Sequence, residues 1–361
     1  MKGTKVTIWG GNTIDNVFGG CYGDNVTTDG TNVTIHGGTI NHVYGGNNQS
    51  GTITGTINVT INKETEAGHN SCDMVLGEVY GGGNVAASNA GNISIGCTGT
   101  GDAEGIGYVY GGANRANVTG PINLTIQEGR INNVFGGNNN SGTITGAINV
   151  NIEKKASPCV WEIGNVYGGG NLAEYSGTPK VTVKNGTVAN VFGGGNGDPT
   201  STTQEPGQVG GSDVTIGDAN ADYCAGVTGN VFGGGNAAKV SGNTKVTYND
   251  AHASSQVGNL FGGGNAAGVT GKTEVFLTQG KVVTNIYGGC NTNGTVGSTS
   301  TVTLTGGTVQ GSVYGGGFGS GTEITGKAIV DISGSATRVD NDVYGGGDNG
   351  QVKGGTEVNI H

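Results

Sequence analysis

The sequence predicts an all-β protein that folds as a right-handed parallel β-helix (a β-solenoid) of about 12 coils, each of roughly 25–30 residues. Three observations lead to this prediction: a glycine-rich motif that recurs once per coil, a short alternating strand pattern that recurs with it, and turn residues at fixed positions between them. A repeat of this length is typical of solenoids, in which each unit buries its apolar face only against its neighbours.

The glycine-rich motif is an aliphatic residue, an aromatic residue and then at least two glycines, with a shortest spacing of 25 residues between aromatics. We interpret its twelve aromatics as a structural ladder: Phe18, Tyr44, Tyr80, Tyr110, Phe135, Tyr167, Phe192, Phe232, Phe261, Tyr287, Tyr314 and Tyr344. If the preceding valine points inward, the rings face outward as a stripe that binds sugars or another protein. We favour rings that cover the bare glycines of neighbouring coils, because tyrosine and phenylalanine exchange freely.

The second repeated element is a three-residue alternation with apolar outer positions, as in Val33-Thr34-Ile35. Alternation with period two and β-branched residues predicts a strand with one buried face, so the outer residues point inward and the middle residue points outward. The strand that carries the aromatic follows, and a third short strand, such as residues 238–242, leads to the next coil. Parallel crossover connections favour right-handed winding.

Turn residues separate these strands. The two valines of Gly186–Val191 lie three residues apart, which places Asn190 at a corner. In nine of the twelve motifs an asparagine follows the aromatic by four residues, and these asparagines are Asn48, Asn84, Asn114, Asn139, Asn171, Asn196, Asn236, Asn265 and Asn291. Asparagine tolerates turn geometry, and asparagines stacked in register form ladders.

Composition excludes several classes of protein. The net charge of −10 leaves no basic stripe, so nucleic acid is not an expected partner. No apolar run approaches the ~20 residues of a membrane span. We expect residues 1–361 to form a single β-solenoid domain. Both ends fall at the same phase of the repeat without a cap, so we expect a fragment of a longer repeat protein, or else a chain that associates end to end through its uncapped ends.

Insertions gather at one corner of the predicted coil. The step from the Val-Thr-Ile strand to the aromatic strand is eight or nine residues in six of the twelve coils but eighteen between Ile61 and Val79. Such insertions often build the binding face of a solenoid, although neutral drift in loop length explains them equally well. The candidate ligand-binding residues in these loops are His69, Glu104, Trp161, Asp222 and His252.

The cysteines give a weaker signal. The chain has six cysteines and no C-x-x-C motif, which argues against a zinc site. A pair between Cys72 and Cys97 would join neighbouring insertions, whereas buried or free thiols explain the six residues more simply. We therefore expect no metal and no cofactor.

The Val-Tyr-Gly-Gly-Gly-Asn and Val-Thr-Ile elements resemble, over the whole chain, the glycine-rich β-helical regions of large bacterial surface proteins of the adhesin and autotransporter-passenger type. The resemblance implies export and an extracellular or cell-surface location. It also implies a rigid, non-enzymatic stalk or adhesive surface, whose partner is a glycan or a host cell-surface protein contacted through the corner insertions.

The sequence leaves other functions open. A polysaccharide-active β-helix enzyme, a lyase or hydrolase, is the main alternative. The sequence assigns no catalytic residue, because its carboxylates do not recur where the repeat would bring them together. An ice-binding face would need ranks of Thr-x-Thr, and only Thr301-Val302-Thr303 completes such a pair. A calcium site would need aspartates at fixed spacing, which only residues 193–198 approach.

Overall fold

The computed structural model describes residues 2–11, 13–24, 26–64, 72–89 and 91–361, and these residues form strands and turns without any helix. Parallel strands stack as a β-solenoid of about 12 turns, which confirms the predicted fold class. The described residues accordingly offer no helix that is long and apolar enough to cross a membrane.

The chain divides into two compact units, residues 1–164 and 165–361, so the single domain expected from the sequence stays a prediction. The strands of unit 1 are β1 (Thr4–Ile8), β2 (Ile14–Phe18), β3 (Thr27–Thr28), β4 (Thr31–Ile35), β5 (Gly38–Tyr44), β6 (Thr52–Ile53), β7 (Ile57–Ile61), β8 (Met74–Tyr80), β9 (Gly91–Ile95), β10 (Gly105–Tyr110), β11 (Ile122–Ile126), β12 (Gly129–Phe135) and β13 (Ile148–Glu153). The next strand, β14 (Trp161–Tyr167), includes the point of division.

The strands of unit 2 are β15 (Lys180–Phe192), β16 (Ser212–Ile216), β17 (Ala225–Phe232), β18 (Thr244–Asn249), β19 (Gln256–Phe261), β20 (Thr273–Gln279), β21 (Lys281–Val282), β22 (Ile286–Tyr287), β23 (Asn293–Val296), β24 (Ser300–Leu304), β25 (Thr308–Val309), β26 (Val313–Tyr314), β27 (Gly321–Ile324), β28 (Ala328–Ile332), β29 (Arg338–Val339), β30 (Val343–Tyr344), β31 (Gln351–Val352) and β32 (Thr356–Ile360).

The first face of each turn is the Val-Thr-Ile strand. In unit 1, β1, β4, β7, β9, β11 and β13 pair in that order, and each residue lies opposite its equivalent, as Val33 does opposite Val59. From β4 to β13 the outer residues of these triplets, such as Val33 and Ile35, are buried, whereas those of β1 are partly exposed. The preceding outward column is an amide ladder with N···O distances of 3.0–3.2 Å, formed by Asn32, Asn58, Asn92, Asn123 and Asn149.

The same face of unit 2 carries charges in that column. Lys180, Asp213, Lys245 and Glu274 lie opposite one another on successive strands. Opposite charges on adjacent strands favour this register, whereas like charges would oppose it.

The second face carries the aromatic column. The rings stack with centroids 4.8–5.0 Å apart within unit 1 and 4.7–5.0 Å apart within unit 2. These separations match the spacing of paired strands. Most of the rings are buried, as are the aliphatic residues before them, for example Val134 and Phe135. The aliphatic residue and the ring that follows it are both buried because the chain turns directly after the ring. The asparagine ladder lies beside the rings, and Asn139, for example, donates a hydrogen bond to the Tyr80 hydroxyl at 2.9 Å.

The glycines after each ring lie where successive turns approach most closely. A Cβ added at Gly193 would lie 2.4 Å from the carbonyl oxygen of Gly233, and one at Gly234 would lie 2.6 Å from the nitrogen of Gly264. The asparagines that follow form ladders, which in unit 2 run through Asn171, Asn196, Asn236, Asn265 and Asn291 with N···O distances of 2.8–3.0 Å.

The third face is narrow. In unit 2 it begins as a column of single bridges through Tyr175, Val209, Val240, Val269 and Val296, and it continues as the parallel strands β23, β27 and β31. Residues 197–211 form an excursion at this face, and the side chain of Gln204 holds it against the next turns: its amide donates to the Ala266 carbonyl at 3.1 Å and accepts from the Gly268 N–H at 3.2 Å.

Close stacking predicts opposite outcomes for two glycines at equivalent positions of the motif. Gly234→Ala should lower the free energy of unfolding by about 1–3 kcal/mol, because the added methyl overpacks the contact with Gly264. Gly346→Ala should change it by less than about 0.5 kcal/mol, since a Cβ there meets no atom within 4 Å. Guanidinium midpoints followed by circular dichroism measure both, and equal shifts would contradict the stacking argument.

Candidate functional site

The structure brings two of the five candidate residues into one corner of unit 1. Glu104 ends the loop between β9 and β10, and Trp161 begins β14. Asp222 and His252 lie in the corresponding loops of unit 2. His69 falls within residues 65–71, outside the described residues.

A disulfide joins Cys97 to Cys159, with Cα atoms 5.7 Å apart. The interpretation of all six cysteines as buried or free thiols is therefore wrong for Cys97 and Cys159, and the alternative pairing of Cys72 with Cys97 is wrong as well, because Cys72 is a free thiol. Cys72 lies instead near the first turn, where a Cβ at Gly10 would lie 2.7 Å from its sulfur. The sequence spacing does not reveal this pair, because it places each insertion at the level of its own turn. In the structure, the loops that carry Cys97 and Cys159 reach past the turn that separates them and meet.

Glu104 is buried, with 5% of its surface exposed, and it orders the loop that precedes it. One carboxylate oxygen accepts from the backbone N–H groups of Thr100 at 3.0 Å and Gly101 at 2.8 Å. The other forms an ion pair with Lys63 and accepts from the Met74 N–H at 3.3 Å. Burial raises the pKa of Glu104, but Lys63 and the N–H donors outweigh burial and hold the pKa below its ordinary value. The residue is thus a structural anion.

Arg130 holds the same loop from the neighbouring strand, a role that the sequence does not reveal. Its Nη1 donates to the carbonyls of Gly101 at 2.9 Å and Asp102 at 2.6 Å, and its Nε donates to Glu162 at 2.7 Å. The scarcity of arginine, three in 361 residues, is the only signal that could have singled it out.

Trp161 is partly exposed beside this loop system. The ammonium group of Lys154 lies 5.8 Å from the ring centroid. A ring in this position offers a flat apolar surface, and the lysine adds a modest cation–π attraction at an exposed site.

A groove of about 360 Å³ lies on the second face, next to the ordered loop. The residues that shape it are Val75, Asp102, Gly105, Gly107, Arg130 and Asn132. Its polar lining comes from a carboxylate, a guanidinium and an amide, and two glycines leave room above β10. The volume lies at the lower end of the range for small-ligand sites.

The loops of unit 2 are each held by local hydrogen bonds. Asp222 is exposed, and its N–H donates to the Asn220 side chain at 3.1 Å. The His252 N–H donates to Asp250 at 2.8 Å. Asp250 is buried and also accepts from the Ala225 N–H at 2.8 Å. Asp250 therefore links the two loops. The candidate residues Asp222 and His252 lie in these loops, but their side chains do not form the link.

One group in the described residues has metal-ligand chemistry. Cys97, Glu128 and Cys159 place their ligand atoms within 4.8 Å of one another. The thiolate is the cysteine species that binds metal, and both sulfurs here are joined in the disulfide. With Cys97 and Cys159 oxidised to a disulfide, this group is a covalent crosslink and its two sulfurs are not thiolate ligands.

Comparisons of this chain with models of protein families, with curated proteins and with solved structures found no match.

The disulfide predicts a specific pattern of cysteine reactivity. Alkylation without reduction, followed by proteolysis and mass spectrometry, should leave Cys97 and Cys159 as one linked peptide and modify Cys72. Closing a loop with a sequence separation of 62 contributes about 4 kcal/mol in the chain-entropy treatment. Cys97→Ser should lower the unfolding midpoint accordingly, with Cys72→Ser as the matched control. Alkylated Cys97 in the unreduced protein would contradict this pairing.

Glu104 predicts a pH-dependent contribution to stability. Glu104→Gln should reduce the free energy of unfolding near neutral pH by about 1.5–3 kcal/mol, because it loses charge-assisted hydrogen bonds. The folded pKa lies below the ordinary 4.5, so the contribution is present above that value and is lost as the pH falls through the folded pKa. Glu174→Gln, at an exposed position away from this loop, is the control. A difference between wild type and Glu104→Gln that stays constant down to acidic pH would refute this role.

Proposed function

We propose that this chain is a structural and adhesive module of an exported bacterial surface protein, a rigid repeat stalk that contacts its ligands through the corner insertion loops. The observation that carries the proposal is the disulfide between Cys97 and Cys159. Disulfides persist in oxidising environments outside the cytosol and are rare in cytosolic proteins. A crosslink that ties two insertions together therefore supports export and assigns the insertions a defined shape.

The repeat itself supports a role as a stalk. Within each unit, successive turns are joined by strand pairing, by stacked rings and by amide ladders. Because these contacts join each turn to its neighbours, bending would disturb several columns at once. The repeat can thus hold its loops in a fixed arrangement.

The state of the corner carboxylates argues against the alternative, a polysaccharide lyase or hydrolase. A general acid that works near neutral pH needs a raised pKa. Glu104 has a lowered pKa and is occupied by Lys63 and backbone donors. Glu162 is exposed and paired with Arg130. Each of these groups has a role in holding the loop.

Two measurements test the proposal. Incubation with polygalacturonate, alginate and hyaluronan should leave the polymers at full length by size-exclusion chromatography. Labelling of intact producing cells with a membrane-impermeant amine reagent should modify the chain, whereas a cytosolic marker protein stays unlabelled. Shortened polymers would favour the enzyme, and a chain found reduced and protected inside cells would overturn export.

A further inference from the structure

We propose that Cys97, Glu128 and Cys159 form a binding site for a zinc ion when the disulfide of this corner is reduced. The site gives the corner loops a second means of being joined, beyond the structural and adhesive role proposed above, and it does not depend on that role. Four features carry it: the column that brings the three residues together, the unpaired carboxylate of Glu128, the backbone contacts that fix the loops and the chemistry of the donor atoms.

The column is a consequence of strand register. The end of β9 lies opposite the end of β11, with Ile95 paired to Ile126, and β11 pairs in turn with β13. Cys97 and Glu128 each lie two residues beyond this pair, and Cys159 lies in the longer loop after β13. The ligand atoms of the two cysteines and of Glu128 all lie within 4.8 Å of one another. Glu128 therefore belongs to the turn between the two cysteines, and its carboxylate lies beside both sulfurs.

The carboxylate of Glu128 has no protein partner. Among the residues that the structure describes, it accepts no hydrogen bond and forms no ion pair, although the side chain is partly buried. Two neighbouring carboxylates, Glu104 and Glu162, are engaged by Lys63 and Arg130. A partly buried anion without a partner is unfavourable, and a cation bound between it and the two sulfurs would neutralise it.

Backbone hydrogen bonds hold the three loops together independently of the disulfide. The Cys97 N–H donates to a side-chain amide oxygen of the preceding turn at 2.9 Å. The Val160 N–H donates to the Gly99 carbonyl at 3.2 Å, and the Val160 carbonyl accepts from the N–H of Gly129, next to Glu128, at 2.9 Å. Opening the S–S bond therefore leaves the ligand groups adjacent, and binding to a site that is already arranged avoids the entropic cost of ordering it.

Reduction converts the crosslink into two metal ligands. A dithiol supplies two electrons and two protons: the S–S bond between Cys97 and Cys159 breaks, two thiols form, and the dithiol becomes a disulfide. A zinc ion then displaces the two thiol protons to solvent, because the thiolate is the species that binds metal. Two thiolates and the Glu128 carboxylate give the ion three protein ligands and leave one position for water.

The donor atoms select zinc over calcium and magnesium. Thiolate sulfur is a soft ligand that suits zinc, whereas Ca²⁺ and Mg²⁺ take oxygen ligands. Two sulfurs on one tetrahedral zinc ion lie about 3.8 Å apart, since each Zn–S bond is about 2.3 Å long. The Cα atoms of Cys97 and Cys159 are 5.7 Å apart, which lets the two side chains reach that separation.

Metal titration of the whole chain in its two redox states tests the site. The reduced, metal-free chain is kept without oxygen after removal of a phosphine reductant, and it is titrated with Co²⁺ as a spectroscopic probe and then with Zn²⁺ in competition. We expect one tetrahedral, thiolate-bound ion per reduced chain and none in the oxidised chain. Ca²⁺ and Mg²⁺ should not displace Co²⁺. Bound Zn²⁺ should also protect Cys97 and Cys159 from alkylation.

Variants separate this site from adventitious binding to other thiols. Glu128→Gln should raise the Kd for Zn²⁺ about tenfold or more. It retains both cysteines, so its disulfide and its unfolding midpoint in the oxidised state verify that it folds. Cys159→Ser should abolish the thiolate–Co²⁺ absorption. The matched controls are Cys72→Ser, at a free thiol outside the group, and Glu174→Gln, at an exposed carboxylate, and both should bind as the wild type does.

Four results would overturn the site: a reduced chain that takes up neither Co²⁺ nor Zn²⁺, equal binding by the oxidised chain, loss of binding in Cys72→Ser, or a wild-type Kd in Glu128→Gln. Each of them can occur whether or not the chain is labelled at the cell surface or leaves polysaccharides intact. Failure of the zinc site and failure of the proposed function are therefore distinguishable.

Discussion

Parallel stacking in register is the constraint on which the rest of this structure depends. Strands about 4.8 Å apart bring each residue next to its equivalent in the neighbouring turn. Only residues that tolerate their own kind at that distance can then recur. Rings stack, amides bond to amides, and glycine is required where backbones meet, as at Gly193 and Gly233. The composition of the chain follows from this one condition.

The same condition makes the regular surface chemically uniform. A column that repeats asparagine satisfies its own hydrogen bonds, and a column that alternates lysine with acidic residues places opposite charges on adjacent strands, so neither offers much that is specific to one ligand. Specific chemistry falls to the insertions, which lack neighbours in register. Unit 1 supplies other means of fixing them: a disulfide, the buried anion Glu104 and the guanidinium of Arg130.

The groove shows how the repeat and the insertions combine. Gly105 and Gly107 satisfy close approach to adjacent turns, and their missing side chains leave a depression on the second face. The loop that ends at Glu104 then closes one side of it. Stacking supplies the floor, and the crosslinked insertion supplies the rim.

The sequence by itself determined the fold class, the strands and the strand register, because the period of the repeat encodes which residues become neighbours. It also identified the insertions as the irregular part, and Glu104 and Trp161 as their distinctive residues. Tertiary structure decided how those residues are used. Cys97 pairs with Cys159 and not Cys72, Glu104 is buried against Lys63, and the aromatic column lies inside. These outcomes depend on where loops of different turns meet in space, which a pattern along the chain does not specify.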